Sequence, residues 1–218
     1  ESRGLGDVYK RQMKIMLVNG SPHENGSTAR ALKEAQSVFK KHEIAATIFW
    51  IGIEPIAGCT ACKTCQSTGR CYQKDQVNAF LEKAEDTDGF VFASPVYFAG
   101  ITGPLKCFMD RVFYCGVFSG KPAAAIVSCR RGGASTAFDQ INKYFQIRNM
   151  PVVSSQYWNL IHGNGNRPDE TEMDLEGLQT IRTMAENMVW LLKSLKAGGY
   201  ELPQYEKRVR TDFIRGRE

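Results

Sequence analysis

Short apolar runs alternate five times with stretches of helical hydrophobic spacing along this chain. Residues 14–19 (KIMLVN), 46–51, 89–93 (GFVFA) and 123–128 (AAAIVS) read as buried strands. Residues 151–153, extending toward Tyr157, supply a fifth. Helical stripes follow each strand: Ala31, Leu32, Ala35, Val38 and Phe39; Val77, Phe80, Leu81 and Ala84, opened by an Asp75 cap; Leu105, Phe108, Met109, Val112 and Phe113; Phe138, Ile141, Tyr144 and Phe145. A last stripe places Met184, Met188, Leu191, Leu192 and Leu195 inside. Strands that are apolar throughout must be covered on both faces. The alternation therefore predicts an α/β fold, a doubly wound five-stranded parallel sheet with helices on both sides. Ligands of such sheets sit at the carboxyl ends of the strands, so the loops after strands one to four are the ones to read.

The 218 residues suffice for one well-buried domain. No apolar run reaches the roughly 18 residues of a membrane span, and the start lacks a signal-peptide pattern. A cytoplasmic location is expected, where clustered cysteines bind metal or do chemistry more often than they pair. The net charge of +5 is mild, and residues 201–218 balance five Lys/Arg against four Asp/Glu. No one-sided basic face or readable motif speaks for nucleic acid. Residues 1–12 (ESRGLGDVYKRQ) show no strand or helix period and are read as a non-native or disordered leader. A single domain over 13–200 and a tail over 201–218 complete the expected organisation.

The first loop, NGSPHENGSTARA, contains neither a Walker phosphate loop nor a G-x-G-x-x-G. It is instead rich in Ser, Thr, Asn and Gly and opens directly onto a helix. Backbone N–H groups, the helix dipole and the hydroxyls of Ser21, Ser27 and Thr28 suit a phosphate monoester. The plain alternative is a turn with a good N-cap.

Four of the seven cysteines fall within thirteen residues, as Cys59-x2-Cys62-x2-Cys65-x5-Cys71. Structural zinc usually draws on two separated pairs, and this run has no second knuckle. Three cysteines at successive x2 spacing resemble the bacterial ferredoxin run, although Cys71 is followed by Tyr72 and not proline. A cluster, zinc and free or redox-active thiols all stay open on spacing alone. Cys107, Cys115 and Cys129 fall in helix or strand patterns and read as small buried hydrophobes. His162 is a lone loop histidine and receives no role.

Four pieces in register, GSPHENGST, the cysteine segment 58–75, SPVYFAGITGPLKCFMDR and CRRGG, resemble the flavodoxin-like NADPH-dependent FMN reductase family, in its iron–sulfur flavoprotein branch. The resemblance implies a flavodoxin-like sheet and an FMN-dependent oxidoreductase. Ser21, Ser27 and Thr28 would hold the FMN phosphate, with His23 and Asn25 lining that loop. Pro95, Val96, Tyr97 and Phe98 would wrap the flavin ring, and Arg130, Arg131 and Gly132 would approach its pyrimidine edge. Arg130 and Arg131 also read as a solvated pair. Lys106, Asp110 and Arg111 read as structural ion pairs.

The same resemblance implies one [4Fe–4S] cluster on Cys59, Cys62, Cys65 and Cys71. NAD(P)H would dock transiently, pass hydride to the flavin and leave. A quinone, free flavin or other small-molecule or protein acceptor would then take the electrons. No acid–base residue is implied to be essential, and a homodimer or homotetramer is expected. The competing classes are a flavodoxin-type electron carrier without small-molecule turnover and a thiol or metal redox sensor.

Overall fold

The computed structural model describes residues 11–116, 118–199, 201–207 and 209. Most of the predicted leader, residues 1–10, lies outside the described residues, as do Arg208 and residues 210–218 of the tail. The elements in chain order are β1 (Lys14–Asn19), α1 (Ser27–Lys41), β2 (Ala45–Trp50), α2 (Cys65–Thr68), α3 (Gln76–Glu85) and β3 (Gly89–Pro95). They continue as α4 (Gly103–Cys115), β4 (Ala123–Cys129), α5 (Ala134–Ile147), β5 (Leu160–His162), α6 (Pro168–Thr171) and α7 (Leu175–Gly198). The strands form one sheet in the order β2-β1-β3-β4-β5, all parallel.

Each strand divides its side chains between two cores, as the two-residue period demands. Met16 and Val18 of β1, Phe90 and Phe92 of β3, and Ala123, Ala125 and Val127 of β4 enter one core with α3, α4 and α5. Their neighbours Ile15, Leu17, Val91, Ala93, Ala124 and Ile126 enter the other, with α1 and α7. The first core is aromatic: the Phe80 ring lies edge-on to Phe49 at 5.4 Å and to Phe108 at 5.2 Å. Such pairs add to simple area burial. Asp75 caps α3 by accepting from Val77 N, as its position in the sequence predicts.

The fifth strand differs from the expectation. Val152 makes only an isolated bridge to Ala123, and the paired segment lies further on, at Leu160–His162. Between them the chain leaves the sheet because Asn159 substitutes a side chain for the ladder. Its Nδ2 donates to Ala125 O at 3.0 Å while its carbonyl accepts from Val127 N. Tyr157 and Trp158 are thereby left exposed, with ring centroids 5.2 Å apart. Leu195, expected inside, is exposed near the end of α7.

The chain crosses from β2 over β1 to β3, so winding reverses between β1 and β3. The loops after those two strands diverge there and leave a crevice at the carboxyl edge. Among the described residues no helix is long and apolar enough to cross a membrane.

Candidate functional site

Asn19, the last residue of β1, is fully buried and builds the loop that follows. Its Oδ1 accepts from Ser21 N at 3.0 Å, and its Nδ2 donates to Glu24 O at 3.2 Å and His23 O at 3.4 Å. Ser21 Oγ accepts from His23 N, and Trp50 Nε1 donates to Ser21 O at 2.8 Å. The loop delivers Ser27 and Thr28, both buried, to the start of α1. No side chain caps that helix and its first turn carries no acid, so its positive end remains suited to an external anion. Ser27 N donates to Gly165 O, where the loop after β5 closes over the turn. His23 and Asn25 are exposed on the rim, and Lys33 Nζ donates to Asn25 Oδ1 at 3.0 Å.

Beside this loop, β3 ends in a tight turn in which Tyr97 and Gly100 exchange both backbone hydrogen bonds. Phe98 and Ala99 at its centre take left-handed φ values of 49° and 61°. Non-glycine residues pay about 1–2 kcal/mol each for that conformation. The Phe98 ring is fully exposed and Tyr97 half so. A strained turn that presents aromatic surface is what a flat apolar ligand needs.

Two buried hydroxyls weld the loops together. Thr102 Oγ1 donates to Gly20 O at 2.7 Å and accepts from Leu105 N, capping α4, while Thr102 N donates to Ser94 Oγ. Ser128 Oγ lies 2.7 Å from Thr28 Oγ1, and Ser128 O accepts from Val96 N. Asn19, Thr102 and Ser128 were not singled out from the sequence, where each looks like ordinary strand or loop filling.

The loop after β4 splits the residues expected there. Arg130 lines a shallow cleft with His162, Gly163, Asn164 and Arg167. Arg131 and Gly132 are exposed. The position that packs is Gly133, at φ 83°, where a Cβ would come within 2.9 Å of Ala99 Cα and 3.2 Å of Val96 Cγ1. Gly133→Ala is therefore expected to cost about 2 kcal/mol from the left-handed backbone alone and to push the 97–100 turn outward. A thermal melt and an FMN titration check it; an unchanged melt would show that the turn yields freely. His162 is exposed and pairs with Asp174, its backbone N–H donating to Oδ2 at 2.6 Å.

The second candidate centre hangs between β2 and α3. Cys59, Cys62, Cys65 and Cys71 line one tight cavity of about 20 Å³ together with Cys115 and Arg111. All seven cysteines are unpaired. Among the described residues no three potential ligands are already drawn to metal distance. The donor set nevertheless fits a thiophilic iron centre: thiols only, no carboxylate lining, and a buried cation beside them. Ala61 and Lys63, flanking Cys62, hold left-handed φ values of 54° and 63°, and Gly69 closes α2 at φ 67°. The Thr64 hydroxyl, and then its backbone N–H, hold the Cys62 thiol below its ordinary pKa.

Cys115 corrects a sequence reading. It is not a core residue but the last residue of α4, half-buried in the nest, and Cys107 is half-buried too. Burial, then hydrogen bonding with Cys65, pushes the Cys115 thiol up to about 12. Cys129 is buried as expected. Lys106 and Asp110 form the expected structural pair at 2.6 Å, joined by the Tyr144 hydroxyl. Arg111 pairs with Asp75 but also reaches Cys71, which the sequence could not show.

The sheet order, the uncapped helix beside a strained aromatic turn and the thiol nest define a flavodoxin-like domain of the flavin-binding class. Residues 13–165 match the family model described as NADPH-dependent FMN reductase. The chain belongs to that family, in the iron–sulfur flavoprotein branch. An iron-sulfur flavoprotein of Methanocaldococcus jannaschii is 30% identical over 193 residues, 84% of this chain and 100% of the relative. One from Methanosarcina thermophila is 26% identical over 190 residues, covering 84% and 97%. Among solved structures, a flavodoxin from the domain Archaea superposes with TM-score 0.57 at 15% identity, covering 83% of this chain and 99% of that one. An apo NADH:FMN oxidoreductase gives TM-score 0.57 at 16%, covering 83% and 90%. These structures share the fold. The family makes the chain an FMN-dependent oxidoreductase.

Proposed function

We propose that this protein takes hydride from NAD(P)H and hands the electrons to a quinone, free flavin or other acceptor, with FMN in the β1/β3 crevice and a [4Fe–4S] cluster on Cys59, Cys62, Cys65 and Cys71. The observation that carries the reading is the uncapped start of α1 joined, through Ser128 and Thr102, to an aromatic turn held in a strained conformation.

In this reading Ser21, Ser27 and Thr28 hold the FMN phosphate at the positive end of α1, with His23 and Asn25 at the rim. Pro95, Val96, Tyr97 and Phe98 orient the ring and keep water from one face. Gly133 lets the turn sit close, while Arg130, Arg131 and Gly132 form the outer wall toward the pyrimidine edge. Bound FMN supplies two-electron exchange with a nicotinamide and release of electrons singly or in pairs. The cluster supplies single-electron capacity. We place this chemistry in a cytoplasmic homodimer or homotetramer.

The test is anaerobic NADPH and NADH oxidation by the purified holoprotein, with and without a soluble quinone. Turnover that needs acceptor supports the enzyme reading. No turnover with either nucleotide, alongside rapid reduction by a ferredoxin, would replace it with the electron carrier. Protein that takes up no FMN would leave the thiol or metal sensor.

A further inference from the structure

Arg111 is the largest fully buried side chain among the described residues, 1% exposed within α4. A buried guanidinium survives only if its charge and its five N–H donors are all answered. Here they are. Nη1 and Nη2 grip the two oxygens of Asp75 at 2.5 and 2.9 Å. The other two Nη hydrogens go to Ala57 O and Gln73 O, each at 3.3 Å. The fifth donor, Nε, points at Cys71 Sγ, 3.3 Å away.

These partners bracket the thiol segment. Ala57 precedes Cys59 by two residues, and Cys71, Gln73 and Asp75 close its far end. One side chain therefore staples together the two ends of the nineteen-residue excursion, 57–75, that carries the four thiols. Cys71 is the anchored thiol of the set. Asn78 also fixes its backbone, accepting from Cys71 N at 2.9 Å and donating to Cys71 O at 2.8 Å. Cys59 and Cys62, by contrast, are exposed.

We propose that Arg111 is the positioning residue of the thiol nest: it closes the loop, presets Cys71 as the fixed ligand, and donates an N–H···S bond that favours the more electron-rich state of the bound centre. The last part rests on the cluster reading above; the closing of the loop does not. Asp75 neutralises the guanidinium, so what reaches the sulfur is a directed donor more than a bare charge. Hydrogen bonds to cluster sulfurs raise reduction potential. Partners behind a ligand typically set metal affinity by about 10- to 100-fold.

The experiment compares the wild-type full chain with Arg111→Lys, which keeps a positive charge but has no planar fork. Amide hydrogen exchange in iron-free, reduced protein is expected to accelerate about tenfold over residues 57–75 and to stay unchanged over β3 and β4. In anaerobically iron-loaded protein, Arg111→Lys is expected to retain about tenfold less iron under chelator challenge. Its residual centre should titrate at a lower potential while the FMN potential stays put. Unchanged exchange over 57–75 would overturn the stapling, and an unchanged centre potential would overturn the N–H···S role. If exchange rises everywhere because Arg111→Lys unfolds, the same readings are taken on Asp75→Asn. That variant keeps a capping side chain for α3 and removes the charge that holds the fork. If the wild type binds no iron, the cluster reading fails, and the exchange comparison alone decides for or against the staple.

Discussion

Asn19→Leu is expected to abolish measurable FMN binding and to lower the stability of the apoprotein by several kcal/mol. The substitution is nearly isosteric, so it leaves no large cavity and its cost is polar. It strands Ser21 N–H, which donates to Asn19 Oδ1, and the carbonyls of Glu24 and His23, which accept from Nδ2. Each buried backbone group left without a partner costs about 1–3 kcal/mol. Ser21 is 3% exposed and water cannot readily replace the lost bond. The functional loss exceeds the stability loss, because the same three bonds fix the curvature that brings Ser21, Ser27 and Thr28 to one place. A displacement of about 1 Å there spoils several short hydrogen bonds to a phosphate at once. Asn19→Asp separates the two contributions: it keeps the acceptor for Ser21 N–H, loses the donor, and brings a negative charge toward the anion site. It is expected to melt closer to wild type than Asn19→Leu while binding FMN at least about tenfold more weakly than wild type. Fluorescence titration with FMN and thermal melts of both apoproteins check this. Tight binding by Asn19→Leu would remove this loop from the flavin site.

The alternation of apolar runs and helical stripes made the sheet, its two faces and most helix interiors readable. Each strand had to satisfy two cores, and only Val, Ile, Leu, Phe, Met and small residues can do that. The Asp75 cap was readable for a similar reason, since it is a local rule of backbone chemistry. What the sequence concealed is long-range and polar. Asn159 borrows Ala125 O, thirty-four residues earlier, and so delays the fifth strand to Leu160–His162; nothing in the 151–157 run announces that this side chain will take a ladder position. Ser128 looked like a strand end, yet its hydroxyl meets Thr28 across a hundred residues. Arg111 read as one half of an ordinary ion pair because its second partner, Cys71, is brought near only by the packing of α4 beneath the thiol segment. Cys115 fitted a helix stripe and was read as buried filling, but the stripe's last turn overhangs the nest. Gly133 drew no attention in the sequence, and its close packing under the 97–100 turn follows only from its positive φ and its neighbours Ala99 and Val96.

Cys71→Ala is expected to remove all iron while leaving FMN bound, and Cys115→Ala to leave both. The two thiols line the same cavity, so proximity does not separate them. Their supports do. Cys71 is held from behind by Arg111 and Asn78, with nothing to reorganise before it ligates. Cys115 ends α4, where the helix dipole turns its negative end toward any anion formed. Its burial further disfavours a thiolate there. Iron ligation needs the thiolate, so the four loop cysteines form the competent set and Cys115 remains a thiol at the wall. The measurement is iron, acid-labile sulfide and FMN per chain after strictly anaerobic purification of the three proteins. About four irons in the wild type and in Cys115→Ala, with none in Cys71→Ala, makes the nest a cubane site. Iron lost from Cys115→Ala and kept in Cys71→Ala would exchange the two in the ligand set and put the electrostatic argument aside. FMN without iron in the wild type would leave a flavin reductase with spare thiols. In that case the left-handed backbone at Ala61 and Lys63, at about 1–2 kcal/mol each, would be strain with no metal to compensate it.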